Sequence, residues 1–166
     1  MDINLIESGL VFAMPLDGNR FSFGQIIKTQ VRIHYMAGFD LLKSEPWIDS
    51  SEELAMAQVV ALGDFFDILL KLGRWQPVGT FECPPVSLPF FKVKIGEDYF
   101  VESWDRSWTR VATEEEVRIL GFRSHKAPII LENAIKWHFN LEPHHVFFDS
   151  LSPVRIHEIS RFFSHE

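Results

Sequence analysis

The chain holds a single cysteine, Cys83, among 166 residues. No intramolecular disulfide can form, and a reducing cytoplasm is the compartment that fits. No apolar run reaches the roughly 18 residues that a membrane span requires. Met1, Asp2, Ile3 and Asn4 lack the basic start and apolar core of a secretory signal. Local signatures of common active sites are missing as well: there is no GxSxG, no Walker A loop, no HExxH and no GxGxxG leading into a helix. Cys83 stands between Glu82 and Pro84 with no histidine nearby to act as a base, which makes it an ordinary thiol. Basic clusters are also scarce. Lysine and arginine total 16 against 23 acidic residues, a net charge of −7, and no stripe of them emerges to track a phosphate backbone. Neither nucleic acid nor membrane is an expected partner, and no cofactor is expected. No internal repeat interrupts the chain.

What is abundant is aromatic surface. Sixteen Phe and five Trp, each ring burying about 150–250 Å² when packed, suffice for a core. The expectation is one α+β domain over residues 1–166, β-rich through 1–110 and helix-rich through 111–166. Its antiparallel hairpins would form a curved sheet or a small barrel. Residues 11–16 are apolar, and Asp17-Gly18-Asn19 marks a turn, since these residues tolerate left-handed backbone angles. Phe21, Phe23 and Ile27 then follow strand periodicity, and residues 31–35 extend the hairpin by a third strand, with a connection over 38–46. Residues 54–62 read equally as strand or buried helix. Phe65, Ile68, Leu69 and Leu72 recur at helical spacing, which predicts a helix over 64–72 closed by Gly73.

Pro84, Pro85 and Pro89 exclude a central strand. Residues 90–95 pair with 99–104 across Gly96-Glu97-Asp98, and 108–111 continue that sheet. Thr113 and Glu116 have capping-box spacing at a helix start. Pro128 opens a helix to about residue 139, with Ile130, Ala134, Trp137 and Leu141 on its apolar side. Residues 146–148 look short and buried. Ser152-Pro153 starts a final helix through 163, although Val154 and Ile156 leave a strand open.

Several groups invite a chemical reading. His138, His144, His145 and Asp149 would be the ligands or bases of a small metal-dependent hydrolase. A metal site needs three or four converging ligands, however, and the spacing matches no such pattern. A capping box and a solvated helix face account for Glu114, Glu115 and Glu116, and strand-end polarity accounts for Glu102 and Asp105. Trp47, Trp75, Trp104, Trp108 and Trp137 would serve an aromatic adaptor module that binds a peptide, but at least three of the five are expected in the core.

Three stretches carry a family likeness. The run Phe12-Ala13-Met14-Pro15-Leu16, a turn glycine and Phe23-Gly24-Gln25-Ile26-Ile27 come first; Gly73-Arg74-Trp75-Gln76-Pro77-Val78-Gly79 comes second. Pro89-Phe90-Phe91-Lys92 with Tyr99-Phe100-Val101-Glu102-Ser103-Trp104-Asp105 is the third. In this order they resemble the immunity protein 26 family of bacterial polymorphic toxin systems, over roughly residues 5–110. The resemblance implies a cytoplasmic protein that binds and neutralises a cognate toxin without catalysis. That toxin domain would be encoded nearby, and a nuclease is one candidate class. Gly9, Pro15, Gly18, Gly24 and Trp75 read as turn and packing positions. The toxin-binding residues are expected among the acids Glu97, Asp98, Glu102, Asp105, Glu114 and Glu115.

Overall fold

The computed structural model describes residues 6–163, and the reading of residues 1–4 lies outside them. In chain order the elements are β1 (Leu10–Asp17), β2 (Arg20–Gln30), β3 (Ile33–Phe39), α1 (Ser51–Met56), β4 (Val59–Phe66), α2 (Ile68–Lys71) and β5 (Gln76–Thr80). Then come β6 (Phe90–Ile95), β7 (Asp98–Ser103), β8 (Thr109–Val111), α3 (Glu114–Ile119), α4 (Ile129–His138), a 3₁₀ segment (Val146–Leu151) and α5 (Pro153–Phe163). The chain divides into two compact units: unit 1, Met1–Pro85 with His125–Ser152, and unit 2, Val86–Ser124 with Pro153–Glu166. Each carries one antiparallel sheet with helices, and neither sheet closes into a barrel. The α+β class holds.

Unit 1 is built on a five-stranded sheet of order β4-β3-β2-β1-β5. The opening hairpin forms as expected, but by different turn chemistry. None of its turn residues adopts a positive φ. Instead the Asp17 carboxylate accepts from the Asn19 amide at 3.3 Å and from Arg20 Nε at 2.8 Å. The left-handed residue is Arg32, φ 64°, in the tight turn from β2 to β3. Burial in β2 does not alternate, because residues 22–27 are all buried. Polar side chains are admitted there because their donor groups are bonded. Ser22 Oγ donates to the Phe39 carbonyl at 2.9 Å, and Gln25 Nε2 faces the carbonyls of Gly9, Phe81 and Glu82 at 3.0–3.2 Å. Gly24 is needed for close approach: a Cβ there would lie 2.5 Å from the Phe12 ring. That ring is stacked on Trp75 at 4.8 Å and has nowhere to go.

Three expectations for unit 1 are corrected. β3 runs on to Phe39, so the connection begins later than residue 38. Residues 54–62 divide between the end of α1 and the start of β4. The helix over 64–72 shrinks to the four residues of α2, because β4 continues to Phe66 in register with β3 (Ile33 opposite Phe66, Tyr35 opposite Asp64). The expected apolar stripe is split: Phe65 is buried from β4 and Leu69 packs against the core, whereas Ile68 and Leu72 are exposed and Leu70 is the residue buried within α2. Gly73 does close the segment in the left-handed region, φ 70°. Across the sheet, α4 follows Pro128 as predicted and packs Leu131 and Ile135 onto Gly38, where a Cβ would meet Ile135 at 2.4 Å.

Unit 2 has a three-stranded sheet of order β6-β7-β8. Its hairpin turns at Gly96, φ 63°, where the sequence places it. α5 settles the open choice over 153–163 in favour of helix. Phe163, Leu120 and Val101 form the core, with Phe90, Ile119 and Ile159 against them. The capping box forms in full. Glu116 N donates to Thr113 Oγ1 at 3.3 Å, and Thr113 N donates to Glu116 Oε2 at 2.7 Å. Arg110 adds a bidentate pair to the same carboxylate at 2.6 and 2.8 Å. Arg110 first, then the Thr113 amide, draw the Glu116 pKa from 4.5 to about 2. A carboxyl depressed in the folded state contributes stability above its unfolded pKa and loses it as pH falls through the folded one. Glu116→Gln is therefore expected to remove the part of acid destabilisation that develops between pH 4.5 and about 2. Urea unfolding midpoints across that range check it.

Candidate functional site

The six acids singled out above all fall in unit 2. The β6–β7 turn carries Glu97 and Asp98 into solvent. Ala112 N donates to the Tyr99 carbonyl at 2.9 Å, which brings the start of α3 to the same end of the sheet. Glu114 and Glu115, both exposed, lie in its first turn. Four of the six thus gather at one end. The other two sit at the far end of β7 and are engaged within the chain. Arg123 donates to Glu102 Oε2 at 2.7 and 3.0 Å and to the carbonyls of Ser103 and Trp104 at 2.8 and 2.9 Å. Its guanidinium also lies 4.2 Å over the Phe91 ring. Asp105 accepts from Ser107 Oγ at 2.7 Å, Ser107 N at 3.0 Å and Ser103 Oγ at 2.8 Å. These bonds hold its pKa at about 2 and pin the turn in which Arg106 adopts φ 61°.

The register sorts the sheet's faces. Phe90, Lys92, Val101 and Arg110 lie on the face that packs beneath α3 and α5. On the opposite face Val93, Phe100 and Val111 stand in one row across all three strands, beside the cross-strand pair Ile95–Asp98. Ile95 and Val111 are exposed there.

The histidines come together only in part. His144 Nε2 lies 2.9 Å from Asp149 Oδ1, and His145 Nδ1 accepts from Phe147 N at 3.3 Å. His138 instead packs against Phe139. Among the described residues no group of three or more His, Cys, Asp or Glu is placed to hold a metal ion. Cys83 is half-buried with Sγ 3.6 Å from the Ile26 carbonyl, and burial pushes its thiol pKa up. Phe148 is buried, but Val146 and Phe147 are exposed, which corrects the reading of 146–148 as a buried segment.

The tryptophans also depart from expectation, since only Trp75 and Trp104 are buried. Trp47 lies in the connection before α1, and Trp108 borders Phe90 and Arg110. Trp137 stands on the outer side of α4 against His144, at 4.9 Å. Two side-chain networks rest mainly on residues far apart in sequence: the Arg123 clamp, and the fully buried Glu132. Glu132 receives Trp75 Nε1 at 3.2 Å, Arg74 at 2.7 Å and Lys136 at 2.9 Å. Glu102 lies 21 residues from Arg123, and Trp75 and Arg74 lie 57 and 58 from Glu132, with Lys136 the one local partner at i+4.

The fold defines the class first, an α+β chain on two open antiparallel sheets. The segment from the opening hairpin through β7 supplies the family. The model of immunity protein 26 matches residues 7–104, more than half of the chain, and the chain belongs to that family. It is an immunity protein. No curated protein and no solved structure matches the chain. Among the described residues no helix is long and apolar enough to cross a membrane.

Proposed function

We propose that this chain neutralises a cognate bacterial toxin by binding it, without catalysis, in the cytoplasm, and that the toxin domain is encoded beside it. Family membership carries this reading. The overall charge supports it: the chain holds 23 acidic residues against 16 basic ones, a net charge of −7. A toxin with a basic cleft, such as a nuclease, meets complementary charge on this chain, which speeds encounter and fixes orientation. The proposed contact set is Glu97, Asp98, Glu102, Asp105, Glu114 and Glu115. Within it the four acids at the hairpin end of the unit 2 sheet face solvent and do the steering. Glu102 and Asp105 border the contact while holding the strand end.

Co-expression with the product of the adjacent upstream gene tests this function. A stoichiometric complex that restores growth supports it; a harmless neighbour that does not co-purify counts against it. Within such a complex, replacing Glu97, Asp98, Glu114 and Glu115 by their amides is expected to slow association about tenfold at low salt and to flatten its salt dependence. Dissociation should change little. Stopped-flow association rates at two ionic strengths measure it, and an unaltered salt slope would remove these acids from the interface.

A further inference from the structure

A second surface, on unit 1, has chemistry of its own. After α4 the chain reverses at Asn140, φ 57°, where Asn140 N donates to the Trp137 carbonyl at 2.9 Å and Leu141 N to the Lys136 carbonyl at 2.8 Å. It then runs back beside the helix. Ile130, Asn133 and Trp137, spaced i, i+3 and i+7, present one stripe of α4 to the returning segment. Between them lies a groove of about 330 Å³, with Ile130, Pro143 and Phe147 among its walls. A shallower depression adjoins it over Trp137, Asn140 and Leu141, and the two share Glu142, Pro143 and His144 as a common ridge. Trp137, Val146 and Phe147 are 41%, 67% and 57% exposed, a concentration of apolar surface that marks binding sites.

The depression is built for a cation. It combines the part-exposed Trp137 ring, which packs against His144 at 4.9 Å, the exposed Glu142 side chain and the negative C-terminal pole of a ten-residue helix. Glu142 makes no ion pair among the described residues, and neither cavity is lined by Lys or Arg. Lys136, on the same helix, is committed to Glu132. The family match ends at residue 104, and this surface lies beyond the matched segment.

The geometry points to this surface as a toxin-docking site that takes an arginine or lysine side chain over Trp137 and against Glu142, with the partner's neighbouring apolar side chain in the groove beside Phe147. The occupant is a basic-apolar loop of the cognate toxin, and that assignment rests on the function proposed above.

Two measurements test it. In the first, N-acetyl-Leu-Arg-amide is titrated into the full chain, with N-acetyl-Leu-Glu-amide as control. The arginine peptide is expected to shift the Trp137 indole N–H signal and the amides of residues 142–147 in the millimolar range. The glutamate peptide should not, and Glu142→Gln should abolish the response. No shift, or equal shifts from both peptides, overturns the cation site. In the second, Trp137→Ala and Glu142→Gln are each introduced into the chain co-expressed with the neighbouring toxin. Each is expected to speed dissociation about tenfold, with association little altered. Glu142 is exposed and makes no ion pair among the described residues, so its variant separates lost contact from lost folding. A wild-type complex whose dissociation neither variant changes overturns docking here and leaves the immunity function standing. If the wild type forms no complex, the toxin assignment falls with that function, and the peptide titration alone decides the cation site.

Discussion

Replacing Glu132 with alanine is expected to destabilise the chain by about 3 kcal/mol, the lower end for breaking a buried ion pair. Its carboxylate is fully buried and takes four donors at once: Arg74 Nε and Nη2, Trp75 Nε1 and Lys136 Nζ. Removing it strands them unequally. Arg74 is 47% exposed and can return to water, which limits the loss. Trp75 is buried, with its ring stacked on Phe12, so the indole N–H keeps no acceptor. An orphaned buried donor costs about 1–3 kcal/mol. Glu132→Gln should cost less than the alanine variant, because the amide oxygen still accepts from Trp75. Urea unfolding checks both, read as a lowered midpoint at unchanged slope. An alanine variant within about 1 kcal/mol of wild type would mean that the network adds no net stability.

The same network explains why Gly73-Arg74-Trp75 behaves as a landmark. Gly73 supplies the left-handed turn after α2, Arg74 and Trp75 both dock on Glu132, and Trp75 stacks on a ring of β1. Only half of that arrangement lies within the family-matched segment, since Glu132 falls beyond residue 104. Features of this kind divide what was legible in the sequence from what was not. The capping box at Thr113, the Gly96 hairpin and the Pro128 helix start are local: each is set by chemistry within three or four residues. Residues 64–72 could not be read locally. Their apolar spacing suits one helix, yet β4 takes the first three of them, to Phe66, because β3 offers a ladder of hydrogen-bonding partners. Tertiary pairing overrides the local period there.

The candidate surfaces follow the same division. That Glu97, Asp98, Glu114 and Glu115 face solvent was readable from turn and cap signals. That four of the six acids converge depends on the Ala112–Tyr99 hydrogen bond, and the commitment of Glu102 depends on an arginine 21 residues away. Trp137 was misplaced because apolar spacing on α4 assigns it to the inner side. Its exposure becomes visible only once the 3₁₀ segment is seen to return beside the helix and leave the ring at a groove edge.

Arg123→Ala is expected to cost about 3 kcal/mol in the stability of unit 2, comparable to breaking other buried charge pairs. The guanidinium is 8% exposed and reaches one carboxylate and two backbone carbonyls at 2.7–3.0 Å while covering the Phe91 ring. Its loss leaves Glu102, only 16% exposed, with exposed Arg106 at 3.9 Å as its remaining cation, and uncovers both carbonyls at the end of β7. Arg123→Lys should recover less than half of the loss, because a single ammonium cannot span three acceptors held by a planar fork. Amide exchange in β6–β8 reports this directly, and protection there should fall by about two orders of magnitude in the alanine variant, the factor that 3 kcal/mol represents. Glu102→Gln then separates the two roles assigned to that residue. If Glu102 acts through the clamp, its amide variant loses exchange protection along with Arg123→Ala and changes toxin association little. If it also meets the toxin, association slows as well, because the charge is lost from both the clamp and the contact.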